Sequence, residues 1–249
     1  MPKTIVLLLL LAAGPLAGGE LVLDLDTRAG HAQVTQTDMG QLVTAPGMVR
    51  SAEPGAPSLP VLPLHVLLPP GTTVEAVRIA GLQETTVPEY GDPKPAQHAV
   101  RVSGPNEFVP VDLSAEATRR ASELPAASLF GTGTLMGYPV ADILVRPFRW
   151  DPRHGRLSAI TSISLELELA VGGPTPPVRG PVGSRIARTT VAATVVNPEG
   201  LAAYASTPAE DLPWGEYLVV TTSELQEAFE PLAEYKTVKG VEARIVTMG

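Results

Sequence analysis

The pattern of apolar and polar positions predicts that most of the chain is built from β-strands. In residues 157–171 the odd positions are apolar except for Thr161, and the even positions are mostly polar. A period of two over this length is typical of a half-buried strand, whereas a helix would scatter the same residues around its circumference. Leu21, Leu23 and Leu25 alternate with a largely polar face and predict an opening strand.

Turn residues divide the remaining apolar runs into short segments. Residues 143–148 predict a strand, and residues 151–155 predict a turn that joins it to the long strand as a hairpin. Residues 114–121 have the composition of a short helix. The chain contains 26 Pro and 23 Gly, which favours many short strands over a helical bundle. We therefore predict a mainly β fold, with an antiparallel β-sandwich over residues 20–171.

A stretch rich in proline and glycine follows the sandwich and predicts an extended linker over residues 172–213. Within it, residues 189–196 are expected to form one further strand or an extended crossing. Arg179, Arg185 and Arg188 lie in this segment, and an exposed connector of this kind suits cleavage by a protease. A solvated basic linker explains the same arginines equally well.

Residues 214–249 show a different pattern, which predicts a strand, a helix and a second strand. The strands are expected at 216–222 and 241–247, and two strands joined through a helix are normally parallel neighbours. A single unit of this kind cannot bury both faces of its strands, so we expect the sequence to be a piece of a longer protein.

The helix within this unit has its own start and stop signals. Ser223 and Gln226 have the spacing of a capping box, and Gly240 is placed to end the helix. Pro231 falls inside the helical pattern, so we expect a kink or a restart there. The predicted apolar face consists of Leu225, Phe229, Leu232 and Ala233.

The N-terminus predicts a secretory signal peptide over residues 1–19. A lysine precedes the apolar run 5–13, and small residues precede a cleavage point after Gly19. The competing interpretation, a transmembrane anchor, needs about 20 apolar residues. Gly14 and Pro15 interrupt the run before that length. We therefore expect a secreted protein, extracellular or on the cell surface, without a stable membrane anchor.

Composition excludes several classes of function. The net charge of −8 offers no basic surplus for a nucleic-acid backbone, so we expect no nucleic-acid partner. The absence of cysteine excludes disulfides, cysteine-ligated metals and a thiol nucleophile within these residues. The four histidines are far apart in sequence and lack the short spacing of a metal motif. They are His31, His65, His98 and His154.

Two kinds of weaker motif are best explained by a structural role, without a binding or catalytic function. Asp24 with Asp26, and Glu166 with Glu168, project from one strand face each and could hold calcium or act in acid/base chemistry, but solvated strand faces are the simpler explanation. Gly131, Gly133 and Gly137 lack the strand and helix of a nucleotide-binding fingerprint and indicate a glycine-rich turn. We predict no catalytic residue, no metal site and no cofactor in this chain.

Several of these segments together resemble the gingipain-type cysteine peptidase family. Residues 230–236, EPLAEYK, followed by Lys239 and Gly240, are similar to the opening of its peptidase domain. Residues 55–60, GAPSLP, and residues 145–152, VRPFRWDP, resemble its propeptide. The resemblance covers most of the mature chain, but only the first three dozen residues of the peptidase part.

The resemblance implies a propeptide sandwich that keeps a zymogen inactive, followed by the start of a caspase-like α/β domain over residues 214–249. The family's catalytic His and Cys cannot be placed in this chain, because it has no Cys and its histidines all precede the peptidase-like part. The implied partners are the protein's own peptidase domain and the protein substrates of the full-length enzyme. Arg179, Arg185 and Arg188 would then be processing or inhibitory residues.

Two alternatives remain open on the sequence alone. One is a non-catalytic secreted surface or secretion-associated protein with a degenerate gingipain-like domain. The other is an independent binding sandwich, for instance for carbohydrate, which is disfavoured because aromatic residues make up only 4% of the chain.

Overall fold

The computed structural model describes residues 19–50, 53–98, 109–173, 185–204, 217–239 and 241–248. In chain order the strands are β1 Glu20–Asp26, β2 Gln33–Thr37, β3 Gly40–Thr44, β4 Val49–Arg50, β5 Pro60–Leu67, β6 Thr72–Val87, β7 Ala127–Leu135, β8 Tyr138–Val145, β9 Phe148–Asp151, β10 Arg156–Val171, β11 Tyr217–Thr222 and β12 Ala243–Met248. The helices are α1 Ala115–Glu123, α2 Arg185–Thr194 and α3 Gln226–Val238. The predicted mainly β fold is confirmed.

The chain divides into two compact units. The first unit comprises residues 1–66, 73–132 and 141–171, and the second comprises residues 67–72, 133–140 and 172–249. Most of the predicted sandwich therefore lies in the first unit, while two short segments inside its boundaries group with the C-terminal part.

The first sheet of the sandwich is organised around β10. It has β1 on one side and β6 on the other, and β9 also pairs with β10. In the antiparallel register, Leu21 lies opposite Leu167 and Leu23 opposite Leu165, and all four side chains are buried. The two strands with the clearest period of two are thus neighbours, and both predictions are confirmed.

The second sheet has the order β4-β5-β8-β7. The connection between β7 and β8 is a two-residue turn in which Met136 and Gly137 both have positive φ, 51° and 87°. Positive φ at both central positions is typical of the tight turns that join hairpins. Gly131 and Gly133 lie inside β7, so the predicted glycine-rich turn is wrong for these two residues, and Gly137 alone of the three lies in a turn.

The predicted strand over residues 143–148 is divided between the two sheets. β8 ends at Val145, and β9 begins at Phe148 and pairs with β10. Pro147 at the break has no amide hydrogen to donate, and its carbonyl accepts from the backbone amide of Ile160 at 2.7 Å. The predicted hairpin with β10 is confirmed, but its first strand is the short β9.

Helix α1 forms where the composition predicted a short helix. The hydroxyl of Ser114 accepts a hydrogen bond from the backbone amide of Ala117, which satisfies one free donor of the first turn. Across the described residues, no helix combines the length and the apolar character needed to span a membrane.

Helix α2 replaces the predicted extended segment. Residues 189–196 were expected to form a strand or crossing, and this prediction is wrong, because α2 covers Arg185–Thr194 and a 3₁₀ turn covers Pro198–Ala203. The predicted linker 172–213 therefore contains a folded segment. Its remaining parts, 174–184 and 205–213, lie outside the described residues.

The predicted strand, helix and strand near the C-terminus are present as β11, α3 and β12. The two strands are parallel, with Val219 opposite Ile245 and Val220 opposite Val246. The predicted capping box is not formed: a 3₁₀ turn over Ser223–Leu225 precedes α3, and neither helical start has a side-chain cap among the described residues. Gly240, the predicted stop, lies outside the described residues.

Pro231 lies inside α3 and does not divide it. Proline removes one donor to the carbonyl four residues earlier, here that of Glu227. Both residues are exposed, so that carbonyl can be hydrated. Of the predicted apolar face, Phe229, Leu232 and Ala233 are half-buried, while Leu225 is exposed.

Shortening a buried side chain of β10 should therefore destabilise the sandwich more than shortening a side chain on the outer face of the same strand. We expect Leu167→Ala to lower the free energy of unfolding by about 2–5 kcal/mol, because Leu167 is fully buried in β10. Glu166→Ala, one residue away on the opposite face, should change it by no more than about 0.5 kcal/mol. Urea denaturation followed by circular dichroism measures both, and equal effects would contradict the assignment of the two faces.

Candidate processing segment

The segment that contains two of the candidate arginines is folded through a buried face. Ala187, Val191 and Val195 recur every four residues, which aligns the first two on one side of α2 and places Val195 on the same side directly after the helix. All three are buried in a cluster within the second unit. The rest of that cluster consists of Leu67, Tyr138, Val140, Leu201 and Tyr204, with Leu135 packed against it. We call residues 185–204 the clasp.

Asn197 ties the clasp to the end of β5. Its side-chain amide donates to the carbonyl of Leu67 at 2.9 Å and accepts from the amide of Leu67 at 2.8 Å. Asn197 is 2% exposed, and Leu67 is 1% exposed. Because buried backbone groups must find partners, the Asn197 side chain acts here as a substitute for a neighbouring strand.

Tyr204 makes the second polar contact of the clasp. Its hydroxyl donates to the carbonyl of Leu68, and its ring packs edge-on against Tyr138 with 4.9 Å between centroids. Burial, with a smaller contribution from Tyr138, raises the pKa of the Tyr204 hydroxyl above its ordinary value. The hydroxyl therefore stays protonated, and remains a hydrogen-bond donor, throughout the physiological pH range.

The three candidate arginines have different positions relative to the clasp. Arg179 lies outside the described residues, and Arg185 is the first residue of α2. Arg188 is half-buried in α2, and its Nη2 donates to the carbonyl of Leu201 at 3.3 Å. The expected exposed and extended conformation is therefore wrong for Arg188, although the structure brings it close to the residues that hold the clasp.

Sequence reasoning missed Asn197 and Tyr204. The spacing of Ala187, Val191 and Val195 is a helical signal that was available, but it lies between two segments rich in Pro and Gly. The contacts of Asn197 and Tyr204 join residues more than 125 positions apart, which no local pattern reports.

Gly19, the predicted end of the signal peptide, lies directly before β1 and is exposed. Its carbonyl accepts a hydrogen bond from the amide of Leu169 at 2.8 Å, which extends the β1–β10 ladder by one residue. Cleavage after Gly19 stays a prediction.

Two of the histidines form pairs with carboxylates on exposed surfaces. Nδ1 of His65 lies 2.6 Å from Asp142, and Nδ1 of His154 lies 2.5 Å from Asp151. The hydrogen bond with His154 is the main cause that lowers the pKa of Asp151. His31 and His98 are exposed. Among the residues that the structure describes, neither pair has a third group that is hydrogen-bonded to it as in a catalytic triad.

The paired carboxylates lie on the outer face of the first sheet. Glu168 forms an ion pair with Arg78 at 2.7 Å and lies opposite Glu20 in the register. Asp26 accepts a hydrogen bond from the amide of Arg28, which ends β1. Within the described ranges, no group of three or more His, Asp or Glu side chains is arranged to hold a metal ion.

Comparison with known proteins identifies the fold. No family model matches the sequence, and no curated protein matches it. The structure is similar to the complex of Porphyromonas gingivalis RgpB pro- and mature domains, with a TM-score of 0.52 and 15% identity. This match covers 80% of the chain and 100% of the RgpB chain. The chain thus has a fold found in that gingipain complex, as the sequence resemblance implied.

A second solved structure concerns the zymogenic latency of gingipain K from Porphyromonas gingivalis. It has a TM-score of 0.46 and 20% identity, and the match covers 64% of the chain and 96% of the gingipain K chain.

Loss of the Asn197 side chain should open the clasp. Asn197→Ala leaves a buried amide and a buried carbonyl of Leu67 without partners, at a cost of about 1–3 kcal/mol. Cleavage by trypsin after Arg188 should then become roughly 5- to 150-fold faster, because it requires the opened segment.

Glu199→Ala is the matched control, since Glu199 is exposed in the 3₁₀ turn that follows Asn197. It should leave the rate of cleavage after Arg188 unchanged. Mass spectrometry of timed digests distinguishes this bond from other tryptic sites. If Arg188 is cleaved as fast in the unaltered chain as in Asn197→Ala, the clasp does not protect it.

Proposed function

We propose that this chain contains the pro-domain of a secreted gingipain-type cysteine peptidase, which folds against the catalytic domain and masks it until proteolysis. The observation that carries the proposal is the fold, which matches the RgpB chain over its whole length. The resemblances at residues 55–60 and 230–236 support it, because they fall in the sandwich and in the βαβ unit respectively.

The proposed mechanism is steric, because the chain has no cysteine and holds no catalytic dyad of its own. A sandwich with a closed core can present a rigid outer surface, and rigid surfaces lose little freedom when they bind. Stable masking of a catalytic cleft calls for an interface of standard size, roughly 1,600 Å² in total.

The clasp narrows the choice of processing site. A protease draws its substrate into an extended conformation, and the bond after Arg188 lies within α2 instead. The bond after Arg185 lies in the first turn of the same helix. Arg179 precedes α2, so we propose it as the processing residue among the three arginines.

Cleavage at Arg179 would not by itself free the sandwich. The clasp lies on the C-terminal side of this bond, while its partners Leu67, Leu68 and Tyr138 lie on the N-terminal side. The two pieces would stay joined through the buried cluster and the hydrogen bonds of Asn197 and Tyr204. Release is therefore proposed to have two steps, cleavage and opening of the clasp.

The retention step can be tested on this chain alone. A recognition site for a specific protease is placed within residues 179–184, and the cut chain is passed through a size-exclusion column. We expect the two pieces to elute together, and to separate when Asn197→Ala and Tyr204→Phe are combined. Glu199→Ala should keep them together, whereas separation of the otherwise unaltered cut chain would contradict retention by the clasp.

Masking is tested on a longer product of the same reading frame. We expect its peptidase activity to rise when residues 20–179 are removed by processing, and to fall again when the separate sandwich is added back. The comparison variant is Arg179→Gln, which should delay the rise without changing the activity of the processed enzyme. A longer product that is equally active with and without residues 20–179 would contradict masking. A product with no peptidase activity in either form would favour the non-catalytic alternative.

A further inference from the structure

A half-buried arginine of the sandwich has no acidic partner among the described residues. Arg146 follows β8, and its Nη1 donates to the carbonyl of Pro125 at 3.2 Å and to the hydroxyl of Ser128 at 2.9 Å. Both acceptors are neutral. Its Nε and Nη2 donors have no partner in the described part of the chain. Burial lowers the pKa of Arg146 from its ordinary value.

A small cavity lies beside Arg146, and a second arginine also lines it. Its volume is about 40 Å³. Its lining residues are Pro57, Leu59, Thr118, Ala121, Ser122, Leu124, Arg146, Phe148, Arg149 and Trp150. Two of these are arginines, two carry hydroxyl groups and none is acidic. Arg149 is exposed and has no polar partner in the described residues, so the cavity has an excess of positive charge.

The size of the cavity limits what can enter it. A water molecule needs about 10–15 Å³ by the same kind of measure, so the cavity has room for about three atoms of that size. A carboxylate group, with three non-hydrogen atoms, fits this space. The planar fork of an arginine also matches a carboxylate with two parallel hydrogen bonds.

We propose that this cavity binds a carboxylate, with Arg146 as the principal ligand and Arg149 as a second cation at the opening. The adjoining surface of Leu124, Phe148 and Trp150 suits the short apolar stem that carries such a group. A carboxylate of this kind occurs on an acidic side chain of a polypeptide and on a small free acid. This proposal does not depend on the proposed function, because every lining residue belongs to the sandwich.

Nuclear magnetic resonance tests the proposal directly on the ¹⁵N-labelled chain. The indole N–H of Trp150 reports on the cavity, and the probes are sodium propionate, neutral propionamide and sodium chloride at the same ionic strength. We expect a saturable shift of this signal with propionate and none with the other two. Equal shifts with propionamide or chloride would overturn the carboxylate assignment, as would tighter binding of inorganic phosphate than of propionate.

Variants of the two arginines connect the binding to the cavity. Arg146→Gln should weaken propionate binding about tenfold or more, because a charge-assisted pair is lost. Arg149→Gln should weaken it less and serves as the second test if Arg146→Gln fails to fold. Arg153→Gln removes the same charge from the exposed turn after β9 and should have no effect. The proposal would be overturned if Arg149→Gln and a folded Arg146→Gln both bind propionate as tightly as the unaltered chain.

The source of the carboxylate is distinguished by two blocked peptides, Gly-Glu-Gly and Gly-Gln-Gly. Tighter binding of the glutamate peptide than of propionate would assign the cavity to an acidic side chain of a polypeptide. Binding of propionate without binding of the glutamate peptide would assign it to a free small acid. Equal binding of both peptides would show that the carboxylate is not recognised and would overturn the proposal.

Discussion

Hydrogen bonding along both edges of β10 is the constraint on which the first sheet depends. This sixteen-residue strand pairs with β1 over seven positions on one edge and has β6 on the other, and its first residues pair with β9. Because side chains alternate between faces, these pairings place the leucines of β1 and β10 on the same buried side. A slip of one residue would expose all of them, so the apolar pattern and the ladder specify the same register.

The parts of the fold that the sequence predicted are those in which burial repeats with a fixed period. β10 and β1 were predicted because one face of each is buried over many consecutive positions. The clasp was missed because β-branched Thr189, Thr190 and Val191 favour a strand locally, while packing against Leu67 and Tyr138 stabilises a helix. Likewise, nothing near residue 146 in the sequence indicates that Pro125 and Ser128 accept hydrogen bonds from its Nη1.

The candidate processing segment differs from the predicted extended linker for a related reason. Arginines in a segment rich in Pro and Gly predicted an accessible connector. Local composition does indicate where a chain is poorly suited to regular secondary structure. It does not report whether a later part of the same segment finds a partner elsewhere. Asn197 supplies that partner by pairing with both backbone groups of Leu67, so a short helix of mixed composition becomes part of the core of the second unit.

The βαβ unit differs from the sandwich because one face of its strands is buried and the other is exposed. Helix α3 packs against β11 and β12, and Val219 and Thr221 are buried. The other face of the same strands carries Leu218, Val220 and Val246, which are 43%, 50% and 37% exposed in the described part of the chain. Parallel sheets are normally covered on both faces, so this face has the character of a surface that another layer would cover. The sandwich, by contrast, buries Leu165 and Leu167 completely with its own strands. The sandwich therefore buries its apolar side chains without a further layer, whereas the βαβ unit leaves the apolar side chains of one face exposed.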